Sequence, residues 1–154
     1  MEMLLPCLYA FAACFFIAIV YNIHGKKLIP VALGGAIGWF VYLLCSGLHR
    51  QIYEYFFAAI VIAIYSEIMA RVNKVPVTIY LIVALIPLVP GGGIYYTMEY
   101  CLNGNIPAFE QTGLHTLGIA GALALGILMV SSAVRLIKAV RISAKHNSDF
   151  SNRS

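Results

Sequence analysis

Charge is scarce in this chain. Ten Lys or Arg and six Asp or Glu make up only 10% of its 154 residues, where a soluble domain carries about 25%. Catalytic sets are missing too. His24, His49, His115 and His146 are scattered over connections and ends with no HExxH pattern, and none of Ser46, Ser66, Ser131 and Ser132 stands in a GxSxG setting. No catalytic residue is therefore nominated. The four cysteines, Cys7, Cys14, Cys45 and Cys101, have neither CxxC nor Cys/His metal spacing. They read as buried small hydrophobes rather than metal ligands or a disulfide framework. No metal, cofactor or nucleic acid is expected as a partner. A basic leader segment is also lacking, so the first apolar run is expected to be kept rather than cleaved.

Apolar side chains are abundant: 62% of the residues are hydrophobic and the mean hydropathy is +0.89. A globule of ~150 residues leaves roughly 30% of its unfolded surface in water, too much to hide this composition. The chain reads as an all-α integral membrane protein in a lipid bilayer. A soluble enzyme, a nucleic-acid binder and a disordered regulator are excluded. One membrane domain is expected over residues 1–140, followed by a basic polar cytoplasmic tail over residues 141–154.

Apolar runs cover residues 3–21, 28–45, 53–70, 75–89 and 117–134. Each is near the ~20 residues that cross a bilayer as helix, and none alternates as a barrel strand does. Five transmembrane helices put Lys26, Lys27, Arg71, Lys74, Arg135, Lys138, Arg141, Lys145 and Arg153 on one side and leave Arg50 alone on the other. Lys and Arg stay with the cytoplasm, so the topology is N-out/C-in and residues 99–115 become an outer loop containing Glu99 and Glu110. Small residues at helical spacing mark four packing faces: Cys7, Ala10, Cys14, Ala18; Gly34, Gly35, Gly38; Ala59, Ala63, Ser66, Ala70; and Gly118, Ala122, Gly126. Such faces suit either a compact bundle or docking to another membrane subunit.

The fourth run is interrupted at Pro87-Leu-Val-Pro90-Gly91-Gly92-Gly93. Each proline removes a backbone donor and clashes with the preceding turn. The break falls about 18 Å from Val75 by helix rise, slightly past mid-membrane. Unpaired backbone at that depth is tolerated when it is buried in protein or lines a cavity. A half-helix starting there aims free N–H groups at an anionic substrate. The alternatives are a plain kink or a short span ending in an exterior loop. Pro87, Pro90, Gly91, Gly92, Gly93 and Tyr95 are the substrate-site candidates, although tyrosine also favours membrane interfaces. A phosphate loop is rejected for want of Lys-Ser/Thr after the glycines. Near the inner end of the third run, Glu67 precedes Arg71 by four residues. The two suit an interfacial ion pair or a proton role. Glu54 is expected at the outer interface.

Gly35-Ala-Ile-Gly38-Trp39, Ser66-Glu67-Ile-Met-Ala70-Arg71 followed by Pro76, and Ile86-Pro87-Leu-Val-Pro90-Gly91-Gly-Gly-Ile-Tyr95 resemble the threonine/serine exporter family. The match is to its C-terminal membrane half, over about residues 10–140, and a two-component bacterial succinate exporter is similarly organised. The resemblance implies the small subunit of a secondary exporter in the bacterial plasma membrane. Such a subunit works with a larger one that has a cytoplasmic domain and five spans. The implied cargo is a small carboxylate-bearing metabolite, threonine or serine or a dicarboxylate such as succinate. Pro87, Pro90, Gly91 and Tyr95 match the family motif, as do Glu67, Arg71 and Pro76. The chain lacks the first half of fused members. A structural or assembly subunit and a homo-oligomeric channel remain as alternatives.

Overall fold

The computed structural model describes residues 4–47 and 51–151, with side chains as far as residue 140. Arg50 and the side chains of Arg141, Lys145 and Arg153, used above for orientation, lie outside the described residues. The regular structure among the described residues is helical: α1 (Leu4–Val20), α2 (Leu28–Cys45), α3 (Gln51–Asn73), α4 (Val77–Leu85), α5 (Gly91–Leu102) and α6 (Ile106–Ser151). Short 3-10 turns at Gly25–Lys27 and Ile86–Leu88 lead into α2 and out of α4. Three helices, Gly25–Cys45, Gln51–Asn73 and Ile106–Val140, are long and apolar enough to cross a bilayer. The bent pair Val77–Leu88 and Gly91–Leu102 makes a fourth if taken as one span. α1 is apolar and has 17 residues.

At the basic end, α1 and α3 each close on a left-handed residue. After α1, Asn22 has φ 60°; its N–H donates to Ile19 O (2.9 Å), and Ile23 N–H donates to Ala18 O (3.0 Å). The same double closure follows α3, with Lys74 at φ 52° and bonds from Lys74 to Arg71 and from Val75 to Ala70. In each case the residue after the left-handed one, Ile23 or Val75, packs back onto the buried cluster, the apolar contact that accompanies this C-cap. The two turns therefore sit together at the end of the bundle that carries Lys26, Lys27, Arg71 and Lys74.

One expectation is corrected. Residues 99–115 are not a loop: α5 runs through Glu99 to Leu102, and α6 begins at Ile106. Gly104, at φ 69°, caps α5, with Gly104 N–H to Cys101 O and Asn105 N–H to Tyr100 O. The Asn105 side chain then accepts from Ala108 N–H at 3.3 Å, capping α6. Consecutive C-cap and N-cap residues turn the chain in three residues, so these polar positions lie on a helical hairpin. α6 then continues unbroken into the segment read as a basic tail.

α2 and α3 form the centre. α1 packs on α2, α4 lies against both central helices, and α6 packs on α3. The small-residue faces are used within this bundle. A Cβ at Gly35 would run into Cys14 Sγ, one at Gly38 into Ile62 and Leu88, and one at Gly126 into Ala59. Ala10, Cys14, Ala18, Ala59, Ala63, Ser66, Ala70 and Ala122 are all buried. Gly118 faces Ile52 and Gly126 faces Ala59, so α6 runs parallel to α3. The bent α4–α5 pair consequently carries the chain from the basic end back to the opposite end.

Candidate functional site

The break is built from backbone chemistry. α4 stops at Leu85, tightens to a 3-10 turn and gives way to extended Val89 (φ −61°, ψ 127°) and Pro90 (φ −75°, ψ 58°). α5 departs at 52° to the first half. Pro87 has no N–H to offer Val83 O, its α-helical partner. That carbonyl instead accepts from Ile86 N–H and from the buried thiol of Cys14 at 3.3 Å. Gly35 is the notch that admits Cys14. Cys14 is thus both a packing residue and the donor that repairs the helix end. Cys7 and Cys45 are half-buried, and Cys101 is exposed, contrary to the expectation of burial. Leu88 meets Gly38, which also meets Ile62, the middle residue of α3, so the break lies halfway along the bundle.

The three glycines separate into two kinds. Gly93 abuts Thr116 of α6, and a Cβ there would strike its hydroxyl; the Gly93 carbonyl accepts from Thr97 at 2.6 Å. Packing accounts for this glycine. A Cβ at Gly91 or Gly92 would meet nothing within 4 Å, and both residues are exposed. Gly91 N–H turns back to Val89 O, and Ile94 N–H donates to Pro90 O. Between them, Gly92 and Gly93 occupy first-turn positions whose N–H groups have no intrahelical acceptor. Tyr95, one turn after Gly91, is 66% exposed, and its ring meets that of Tyr96 edge-on at 5.4 Å. No residue of α5 is buried, and its packing partner is α6.

Sequence reasoning missed what surrounds the break. Pro87 and Trp39 line a groove with Tyr9 and Ala10 of α1. The Trp39 indole N–H finds no acceptor among the described residues. Trp39 stacks toward Tyr42 at 5.3 Å, and Tyr42 toward Tyr55 at 4.8 Å. Glu54, expected at an interface, is only 4% exposed. The helical register put Glu54 at the outer end of α3, but only the fold reveals that it is buried there.

Glu67 and Arg71 stand apart from the groove. Glu67 Oε2 lies 3.5 Å from Arg71 Nη2 and 3.9 Å from Lys138 Nζ of α6. The oxygen is buried while both cations are half-exposed. The i,i+4 spacing revealed the first contact; the second joins residues on separate helices.

An apolar helical bundle interrupted halfway by a proline–glycine break fits a protein built to lie in a membrane. The chain belongs to the family described as Threonine/Serine exporter, ThrE, whose model matches residues 6–133. Membership makes it an exporter-type transporter, a multi-pass membrane protein. No curated protein matches it, and no solved structure does.

Proposed function

We propose that this chain is the small membrane subunit of a two-component secondary exporter of small carboxylate-bearing metabolites. Threonine, serine and dicarboxylates such as succinate are its candidate cargo. The observation that carries the reading is the first turn of α5, where glycine faces stand open beside unpaired N–H groups halfway along the bundle. Such a turn offers donors and the positive end of a helix to an anionic group. The Trp39 indole N–H is a further donor beside the same break. Pro87, Pro90, Gly91, Gly92, Gly93 and Tyr95 then form half of a midplane substrate site.

Five spans, N-out and C-in, fit this role. The parallel run of α3 and α6 supports counting α4 and α5 as one crossing, and their two halves of about 18 Å, bent by 52°, still span about 32 Å against a ~30 Å core. α1, with 17 residues, reaches the short end of the spanning range of roughly 17–25 residues. The basic end of the bundle faces the cytoplasm of a bacterial plasma membrane. The uncovered face of α5 supports a larger five-span subunit with a cytoplasmic domain as the partner that completes the site. Glu67 and Arg71, tied to Lys138, act as an ion-pair latch between α3 and α6 at the inner end.

The test is efflux of labelled threonine, serine and succinate from cells without their own exporters, expressing this chain alone and then with the larger subunit. Export is expected only with both. Pro90→Ala and Gly91→Leu are expected to abolish it while the protein still reaches the membrane. Normal efflux from those two variants sinks the site, and efflux from the chain alone sinks the half-transporter.

A further inference from the structure

A second polar feature lies away from the break. A cleft of about 330 Å³ opens at the basic end, between the α1–α2 connection and α4. Its polar lining is Asn22, His24 and Lys27; α4 contributes Thr78 and the apolar Ile79, Ile82 and Val83, of which Val83 is buried and Ile82 exposed. Its volume is at the low end for small-molecule sites, roughly 300–1,000 Å³.

The polar wall is held in place. Asn22 is the left-handed capping residue of α1, and Ile23 beside it is anchored in the apolar cluster. His24 Nδ1 lies 2.8 Å from Asn22 O. A carbonyl only accepts, so Nδ1 carries the proton and the ring is oriented with Nε2 free. Lys27 is half-buried, whereas its neighbour Lys26 is exposed and does not line the cleft. No carboxylate lines it among the described residues. A lysine beside an apolar α4 surface suits a small organic anion: the carboxylate would meet Lys27 and the carbon skeleton the aliphatic side chains of Ile79 and Val83. Val83 stands four residues before Pro87 on the chain leading to the break.

We propose that this cleft is the cytoplasmic loading site for the carboxylate of the exported metabolite, with Lys27 as its charged contact and His24 and Thr78 as flanking polar contacts. This rests on the export reading above. The experiment uses proteoliposomes of this chain with its larger subunit, oriented with the basic end outward, and measures uptake against outside substrate concentration. Lys27→Gln is expected to raise KM roughly tenfold with Vmax retained, the loss of one charge-assisted contact. Lys27→Arg should stay within about threefold of the parent, since the charge is kept. Lys26→Gln, which changes the orienting charge equally, should leave KM unchanged.

An unchanged KM for Lys27→Gln overturns the site, as does a fall in Vmax alone. An equal KM shift in Lys26→Gln assigns the effect to surface charge and also overturns it. A shift that disappears in vesicles without phosphatidylglycerol makes the cleft a lipid-headgroup site instead. If the parent complex transports none of the three substrates, the export reading itself fails and takes this inference with it.

Discussion

Replacing Gly126 by alanine sets two opposing effects against each other. Alanine is the better helix former by about 1 kcal/mol. Against that, the new Cβ would stand 2.9 Å from Ala59 Cβ, 3.1 Å from Phe56 O and 3.4 Å from Ile60 N. Two of these three atoms are backbone, and the third is the first atom of a side chain, so none can swing away. Carbon atoms rest at roughly 3.5–4.0 Å, so α3 and α6 must part by about 0.6–1 Å. A gap of that size forfeits a quarter to a half of each contact it stretches. Ile119, Ala122, Leu123 and Val130 are buried along α6. Overpacking of this kind costs about 1–3 kcal/mol, so after the propensity gain Gly126→Ala is expected to lose up to about 2 kcal/mol net. Gly121, five residues earlier on the same helix, meets nothing within 4 Å; alanine there keeps only the propensity gain. Thermal unfolding of both variants in one detergent, followed by helical circular dichroism, measures the contrast. The contrast is the overpacking cost of about 1–3 kcal/mol, so at roughly 2–4 °C per kcal/mol for a chain of this size Gly126→Ala should melt about 2–12 °C below Gly121→Ala. Equal or reversed melting temperatures refute the close α3–α6 approach.

Three further outcomes follow from the packing. Lys74→Gly removes a lysine from φ 52°, and detergent unfolding should show a gain of about 0.5–1 kcal/mol; a loss contradicts the left-handed cap. Cys14→Ala takes away the thiol bond to Val83 O and opens space at Gly35, for an expected cost of about 1–2 kcal/mol in the same assay. Gly35→Ala should then be milder in the Cys14→Ala background than alone, and strict additivity in that double-mutant cycle counts against their contact. The Glu67–Lys138 contact is 3.9 Å with Lys138 half-exposed, so a Glu67→Gln/Lys138→Gln cycle should give a coupling under about 1 kcal/mol. A much larger coupling means that the carboxylate is held more tightly than its geometry implies.

The apolar helices were legible because unbroken hydrophobic runs leave a bilayer-bound backbone one economical answer, and the helix break because Pro87 and Pro90 withdraw donors. The small-residue faces were legible from spacing, and the bundle uses them internally. The hairpin between α5 and α6 was hidden by its polarity. Glu99, Glu110 and His115 resembled loop composition, while the cap signal Asn103-Gly104-Asn105 with Pro107 was the local cue that outweighed it. The environment of Glu54 and the contact of Lys138 with Glu67 depend on which helices become neighbours, which no periodicity within one segment reveals. The split among Gly91, Gly92 and Gly93 is of the same kind: only the placement of Thr116 distinguishes the packed glycine from the open pair.

The dependence of α5 on α6 also bears on the order of assembly during synthesis. α5 opens with three glycines, each about 1 kcal/mol poorer than alanine in a helix, and its packing lies on α6. Its anchoring neighbour, Thr116, is made 23 residues after Gly93. While the nascent chain is shorter than that, α1 to α4 already hold their mutual contacts, but α5 has no surface to settle on. The second half of the broken crossing therefore becomes structured last, when α6 emerges and docks along α3. Chains truncated before Thr116 and carried clear of the ribosome on a flexible C-terminal linker should leave the Gly91–Leu102 segment open to cysteine labelling, and linker-bearing chains extending past Gly126 should protect its α6-facing side.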